Sequence, residues 1–271
     1  MTSVFALGID VAWITFGLAV LERSGSAPTR ISPSLLPGIQ TDATRDPRDY
    51  RAALQESWAR NQWNLAESLG TTATQWAPVC LESVDIVCCA GRKVKKASTL
   101  SAEALFHCAA HYLDDVRRRL PGRITHVVIE RQRKNRKIEM LAMALYVYFD
   151  RLPAEERPLD LVIQSASKKL QVLPCPEPLV SVLTASQDAY LLRKYVAVEM
   201  TQFLLEAWLE QDSALLCAWN ALPWAVRRDP SDAFLHIVYR LRNAPRGVNK
   251  ALDKLDLEKR EEHAHQGASP S

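Results

Sequence analysis

Glycine is scarce in this chain, with nine in 271 residues. So small a supply leaves no glycine-rich loop of the kind that cradles nucleotide phosphates. Cysteine is also thin. The six (Cys80, Cys88, Cys89, Cys108, Cys175 and Cys217) are scattered and form no Cys-x-x-Cys pair. That argues against a disulfide framework and against a closed zinc site, and points to free thiols in a reducing, intracellular compartment. Charge of one sign is nearly absent in sum, the net being +3. At 48% hydrophobic and 24% charged residues, the composition is that of a globular protein of one or two domains, not of a disordered chain.

A clean membrane span is missing too. Phe5 to Leu21 is mostly apolar, but Asp10 stands near its middle and Gly8 and Gly17 interrupt it. A central Asp costs about 2.5–3.5 kcal/mol on insertion scales, so the stretch reads as two buried strands and a turn. The first strand is read from near Val4, so no signal or transit peptide is expected. No membrane association is expected.

What is present alternates between strands and helices. Val4–Asp10 and Trp13–Leu21 read as a hairpin, and Pro78–Cys89, Ile124–Glu130 and Leu159–Gln164 as further strands. Helices are expected over Tyr50–Leu69, Ser101–Leu120 (stopped by Pro121-Gly122), Ile138–Arg151, Tyr190–Glu210 and Asp232–Leu241. The fold class is therefore α/β. Residues 1–250 form one domain with an insertion at about 24–75, rich at first in Ser, Pro and Thr; residues 251–271 are a charged and polar tail.

The chemistry lies in acids at strand ends. Asp10 closes an apolar strand, and Val127-Val128-Ile129 run straight into Glu130. A buried carboxylate costs several kcal/mol unless something compensates it. Two strands that each end in an acid place both at one sheet edge, and oxygen ligands there suit a hard divalent cation such as magnesium. Each acid taken alone also fits a strand simply meeting water. The third element is Arg227-Arg228-Asp229-Pro230-Ser231-Asp232. Asp229 reads as an N-cap, Pro230 as the first helical residue and Asp232 as the third. Capping alone accounts for both acids, but a capped first turn also holds two carboxylates still for a metal. His236 lies one turn beyond Asp232.

Cations accompany the acids. Arg131, Arg133, Lys134, Arg136 and Lys137 follow Glu130 within seven residues, and Arg92-Lys93-Val94-Lys95-Lys96, Lys168-Lys169 and Arg227-Arg228 are further clusters. Such runs are usually solvated faces. Beside candidate metal acids, they are what a phosphodiester substrate needs: acids for metal, bases for phosphates.

Gly8-Ile9-Asp10, the string Val128-Ile129-Glu130-Arg131-Gln132-Arg133, and the late Asp229-x-x-Asp232-Ala233 together resemble the RuvC-like Holliday-junction resolvases. The fungal mitochondrial and poxviral branch, where Ile-Glu-Arg-Gln-Arg is typical, is the variety most resembled. The resemblance covers roughly residues 4–240. It implies an RNase H-like mixed five-stranded sheet flanked by helices. It also implies a homodimer that nicks paired strands of four-way DNA junctions with two magnesium ions per site, manganese substituting. Asp10, Glu130, Asp229 and Asp232 would be the catalytic and metal-binding acids. Arg131, Arg133, Lys134, Arg136, Lys137, Lys168, Lys169, Arg227 and Arg228 would contact DNA, Lys168 or Lys169 near the scissile phosphate. The chain departs from the family pattern at Ala12, usually Gly, and at Arg228, usually Asp. Trp208, Trp219, Trp224, Leu204 and Leu205 are candidates for either a dimer face or the core.

Two other readings stay open. One is another RNase H-like nuclease, such as a transposase or an RNA–DNA hybrid nuclease. The other is an inactive fold that binds or scaffolds nucleic acid. Organism, and a viral, bacterial or nucleocytoplasmic setting, are not distinguished by these residues.

Overall fold

A computed structural model describes residues 3–11, 15–23, 54, 58, 75–89, 99–131, 135–173, 189–245, 247–248, 251–252 and 254. Five strands form its centre: β1 (Ser3–Val11), β2 (Thr15–Arg23), β3 (Trp76–Asp85), β4 (Gly122–Arg131) and β5 (Asp160–Ser165). Their order is β3-β2-β1-β4-β5. The first three pair antiparallel; β4 runs parallel to β1, and β5 parallel to β4. This is the mixed α/β sheet that the RNase H-like resemblance implied.

Alternation along each strand sorts side chains by size. Phe5, Leu7, Ile9, Val11, Phe16, Leu18 and Val20 enter one buried cluster. It is closed by α2 (Ala102–Arg119) and α3 (Arg136–Asp150), which follow a short α1 (Ile86–Cys89). Ser101 and Asn135 cap the two longer helices through their side-chain oxygens. The strand expected over Pro78–Cys89 stops at Asp85. The Asp85 carboxylate accepts the Val87 N–H at 3.0 Å and turns the chain into α1.

The opposite face is lined by small residues, and there the helices α4 (Ala189–Trp208), α5 (Ala214–Ala221) and α6 (Trp224–Arg242) pack. The helix α6 is central: Pro230 to Val238 are all buried, against β1, β2, β3, β4 and α4. Gly8 and Gly17 make the approach possible. A Cβ on Gly8 would lie 2.0 Å from the Ala233 carbonyl oxygen, and one on Gly17 2.3 Å from that of Asp229. These carbonyls are one turn apart, so the helix backbone rests directly on a glycine shelf spanning two strands.

The start of α6 corrects the local reading. Asp229 is not an N-cap and Pro230 is not the first helical residue; the helix begins at Trp224, and Pro230 lies inside it. An internal proline forgoes the hydrogen bond to residue 226 and costs about 3 kcal/mol. Burial of Pro230 and Ser231 against the shelf outweighs that local signal.

Leu204, Leu205 and Trp219 belong to the core, Trp208 is half-buried against Phe234, and Trp224 is exposed. The expected insertion at about 24–75 lies outside the described residues, apart from buried Leu54 and Trp58 and half-buried Gln75. Of the expected tail, Ala251, Leu252 and Lys254 are described, and Leu252 is buried in the core. Cys80, Cys108 and Cys217 are free thiols. Among the described residues no helix is long and apolar enough to cross a membrane.

Candidate metal centre

The sheet register assembles the site. Asp10 pairs across from Gly17 on β2. Ile9 lies beside Ile129, so Asp10 and Glu130 follow side by side at the ends of parallel strands. Glu130 in turn pairs with Gln164 on β5. Gly17, Asp10, Glu130 and Gln164 thus form one transverse row on the face that α6 covers. The helix crosses that row, presenting Asp229, Asp232 and His236 at the spacing i, i+3, i+7, which keeps them on one side.

Ligand oxygens of Asp10, Glu130 and Asp232, all three buried, lie within 4.8 Å of one another. Asp229 sits at the rim, where its Oδ2 accepts a hydrogen bond from Thr15 Oγ1 at 2.6 Å. Two buried lysines enter from other elements. Lys169, on the 3-10 turn Ala166–Gln171 after β5, places Nζ 3.2 Å from Glu130 and 2.6 Å from Asp232. Lys194, on α4, places Nζ 3.1 Å from Asp229 and 3.4 Å from Asp10, and donates to Asp232. Two ammonium groups against four carboxylates leave a formal charge of −2 (2 minus 4).

Electrostatics separates the acids. Burial, with the neighbouring Glu130 charge, raises the Asp10 carboxyl well above its ordinary range despite the opposing pull of Lys194. Burial would raise Glu130 too, but Lys169 and the His236 contact outweigh it and hold Glu130 below the carboxylate range. Burial likewise opposes the charge on Lys169 and Lys194, and the surrounding carboxylates override it, raising both.

His236 Nε2 stands 3.2 Å from Glu130 Oε2. Its Nδ1 is 2.7 Å from the Gln164 amide nitrogen, which also donates to the His236 carbonyl at 3.2 Å. With the amide held as donor, Nδ1 accepts and Nε2 carries the proton, close to Glu130 but not aligned as a hydrogen bond to it. A histidine one turn past Asp232 therefore shares its face and stands against a site carboxylate.

The residue types fit a hard divalent cation. Every candidate ligand is a carboxylate oxygen, and Asp232 Oδ1 is buried without a hydrogen-bond partner, as an oxygen shaped for something else would be.

The candidate DNA-contacting residues divide. Arg131 and Arg136 are exposed, Arg131 lying 3.4 Å from Glu139. Lys137 donates to the Leu100 carbonyl at 2.8 Å. Lys168 lies over the Tyr239 ring, away from the acids, while Lys169 is buried among them. Arg227 clasps the α5–α6 junction, donating to the Leu222 and Asn220 carbonyls at 2.8 and 2.7 Å. Arg228 donates to the Ala225 carbonyl and stacks on Trp224. Arg133, Lys134 and the 92–96 cluster lie outside the described residues.

Sequence reasoning missed Lys194, Gln164 and Thr15. Only Lys194 carries a signal, as a cation near the start of an otherwise apolar helix. The register that brings Gln164 to Glu130 has none.

No family model matches the chain, and no curated protein matches it in sequence. Among solved structures it is similar to the yeast mitochondrial Holliday junction resolvase Ydc2 at 14% identity, over 89% of this chain and 78% of that one, with a TM-score of 0.45. A likeness that distant is no ground for assigning function.

Proposed function

We propose that this protein is a magnesium-dependent, structure-selective endodeoxyribonuclease that resolves four-way DNA junctions by paired nicking as a homodimer. The observation that carries the nuclease part is the buried row of Asp10 and Glu130 with Asp232 and Asp229 pressed onto it by α6. The junction part rests on the resemblance of the Glu130 string. Asp10, Glu130, Asp232 and Asp229 would hold magnesium, and manganese would substitute. Bound there, the metal supplies Lewis acidity toward a phosphodiester and lowers the pKa of water.

The chain's own groups do the rest. Gln164 fixes the His236 ring beside Glu130, where the imidazole would help to orient that carboxylate. Lys169 and Lys194 keep four carboxylates together before any cation arrives, and each offers an ammonium to a phosphate oxygen as negative charge develops. Arg131, Arg133, Lys134, Arg136, Lys137, Lys168 and Arg228 would grip backbone phosphates and give affinity without reading sequence. Arg227 would act by fixing the start of α6.

A second reading has one observation in its favour. The lysines already offset half the acid charge, as in a scaffold that binds branched nucleic acid and never cuts it. The assay is cleavage of a labelled four-way junction beside a linear duplex and an RNA–DNA hybrid, in magnesium and in EDTA. Asp10→Asn and Glu130→Gln run alongside. Paired nicks on the junction alone, abolished by EDTA and by both variants, support the resolvase. Equal cutting of all substrates leaves a nuclease of another kind, and tight binding without cutting leaves the scaffold.

A further inference from the structure

The acid row opens to solvent at Asp229, whose side chain is 18% exposed while those of Asp10, Glu130 and Asp232 are closed off. Lys194 joins that rim to the interior, and the turn of α4 before it leads outward. Lys194 is buried, Leu192 and Arg193 are half-buried, and Tyr190 and Leu191 are 58% and 59% exposed. The Lys194 ammonium lies over the Tyr190 ring, 5.9 Å from its centre. The same ammonium is 3.4 Å from Asp10 and 3.1 Å from Asp229. The ring centre is therefore at most 9.3 Å from the Asp10 oxygen (5.9 plus 3.4).

Holding the ammonium accounts for one face of the ring. It does not account for a phenol left more than half in water, because a cation–ring contact is stronger when desolvated. A stacked strand rises about 3.4 Å per nucleotide. The distance from ring to acids is thus fewer than three steps, so a phosphodiester held at the acids brings a neighbouring base within reach of Tyr190. An aromatic face stacks on any base, whatever the sequence. In a linear duplex each base already has a neighbour on both faces. At a branch point the stack is interrupted and a base face is free.

We propose that Tyr190 stacks on the unstacked base beside the scissile phosphodiester and so favours branched over linear DNA. This rests on the junction reading above and deepens it, by naming the side chain that tells a branch from a duplex. The contact involves no metal and holds in EDTA, so it can be read without cleavage.

The test is binding of the full chain, in EDTA, to a four-way junction with 2-aminopurine next to the crossover, beside a linear duplex of the same sequence. Anisotropy of a remote dye gives affinity, and loss of 2-aminopurine fluorescence reports stacking on that base. Wild type is expected to prefer the junction and to quench it. Tyr190→Leu is expected to weaken junction binding about tenfold, as loss of one base stack allows, and to lose the quenching. Duplex binding should stay within about twofold, and the melting temperature should not change because the ring is exposed. Tyr190→Phe and Tyr190→Trp should both behave as wild type. A wild type that binds junction and duplex alike overturns the junction reading and this inference together. A selective wild type whose Tyr190→Leu variant binds and quenches as before overturns this inference alone. An equal loss on junction and duplex also overturns it, since the ring would then act only by holding Lys194.

Discussion

Replacing Gly17 with alanine adds one methyl group where the structure has no room. The new Cβ would stand 2.3 Å from the Asp229 carbonyl oxygen and 2.4 Å from its carbonyl carbon. Ordinary contact begins at 3.4 Å, so α6 must retreat by about 1.1 Å (3.4 minus 2.3). The obstacle is helix backbone, which cannot rotate aside as a side chain would. Overpacking of this kind costs about 1–3 kcal/mol. For a chain of this size that lowers the melting temperature by roughly 2–4 °C per kcal/mol. The larger effect is on the site, because Asp229 and Asp232 ride on the displaced helix. A misplacement of about 1 Å near reacting groups lowers rate by about 100-fold. Gly8→Ala, which meets the Ala233 carbonyl at 2.0 Å, should do the same. Gly247→Ala is the control, with nothing within 4 Å of its Cβ. The assays are differential scanning calorimetry and magnesium-dependent cleavage of a labelled junction. A Gly17→Ala protein with wild-type melting and wild-type cleavage would refute the shelf.

Three further outcomes are expected. Lys194→Met strips a buried ammonium from Asp10, Asp229 and Asp232; it should destabilise the protein by about 3–5 kcal/mol in EDTA, as removing one partner of a buried pair does, and magnesium should recover much of the loss. Thermal melts with and without magnesium check this, and an equal loss in both would contradict it. Burial holds the His126 imidazole at about 4, against 6.5 for the free group. The unfolded chain then binds the extra proton between those values, so stability falls as pH drops from about 6.5 toward 4, by about 3 kcal/mol; urea midpoints across that range should fall less in His126→Gln. His236→Phe should leave junction binding within about twofold while lowering cleavage, because it frees Glu130 without removing a phosphate contact; a drop in binding alone would assign His236 a different role.

Much of the fold was legible because its signals are local. Apolar alternation marks β1 and β2, the run 127–129 marks β4, and Ser101 and Pro121 bracket α2. The acids at strand ends pointed to the centre for the same reason: a carboxylate finishing an apolar strand is costly, and the cost shows in the sequence. The start of α6 was misread because Asp229-Pro230 carries an N-terminal signature that local propensity favours. The glycine shelf, made by two distant strands, overrides it. Lys194 was overlooked because a lysine among apolar helix residues ordinarily reaches out to water, whereas this one turns inward to three carboxylates. Gln164 joins the row only through the pairing of β4 with β5, which no short stretch of sequence encodes.

The most direct test is diffraction from crystals soaked in manganese, with anomalous maps around the acid row. A peak is expected, bounded by the carboxylates of Asp10, Glu130 and Asp232, with the Lys194 ammonium displaced from Asp232. The peak should vanish in Glu130→Gln crystals soaked alike. An empty map at saturating manganese, with Lys169 and Lys194 still bridging the acids, would contradict the metal centre and leave the four carboxylates as an internal salt cluster.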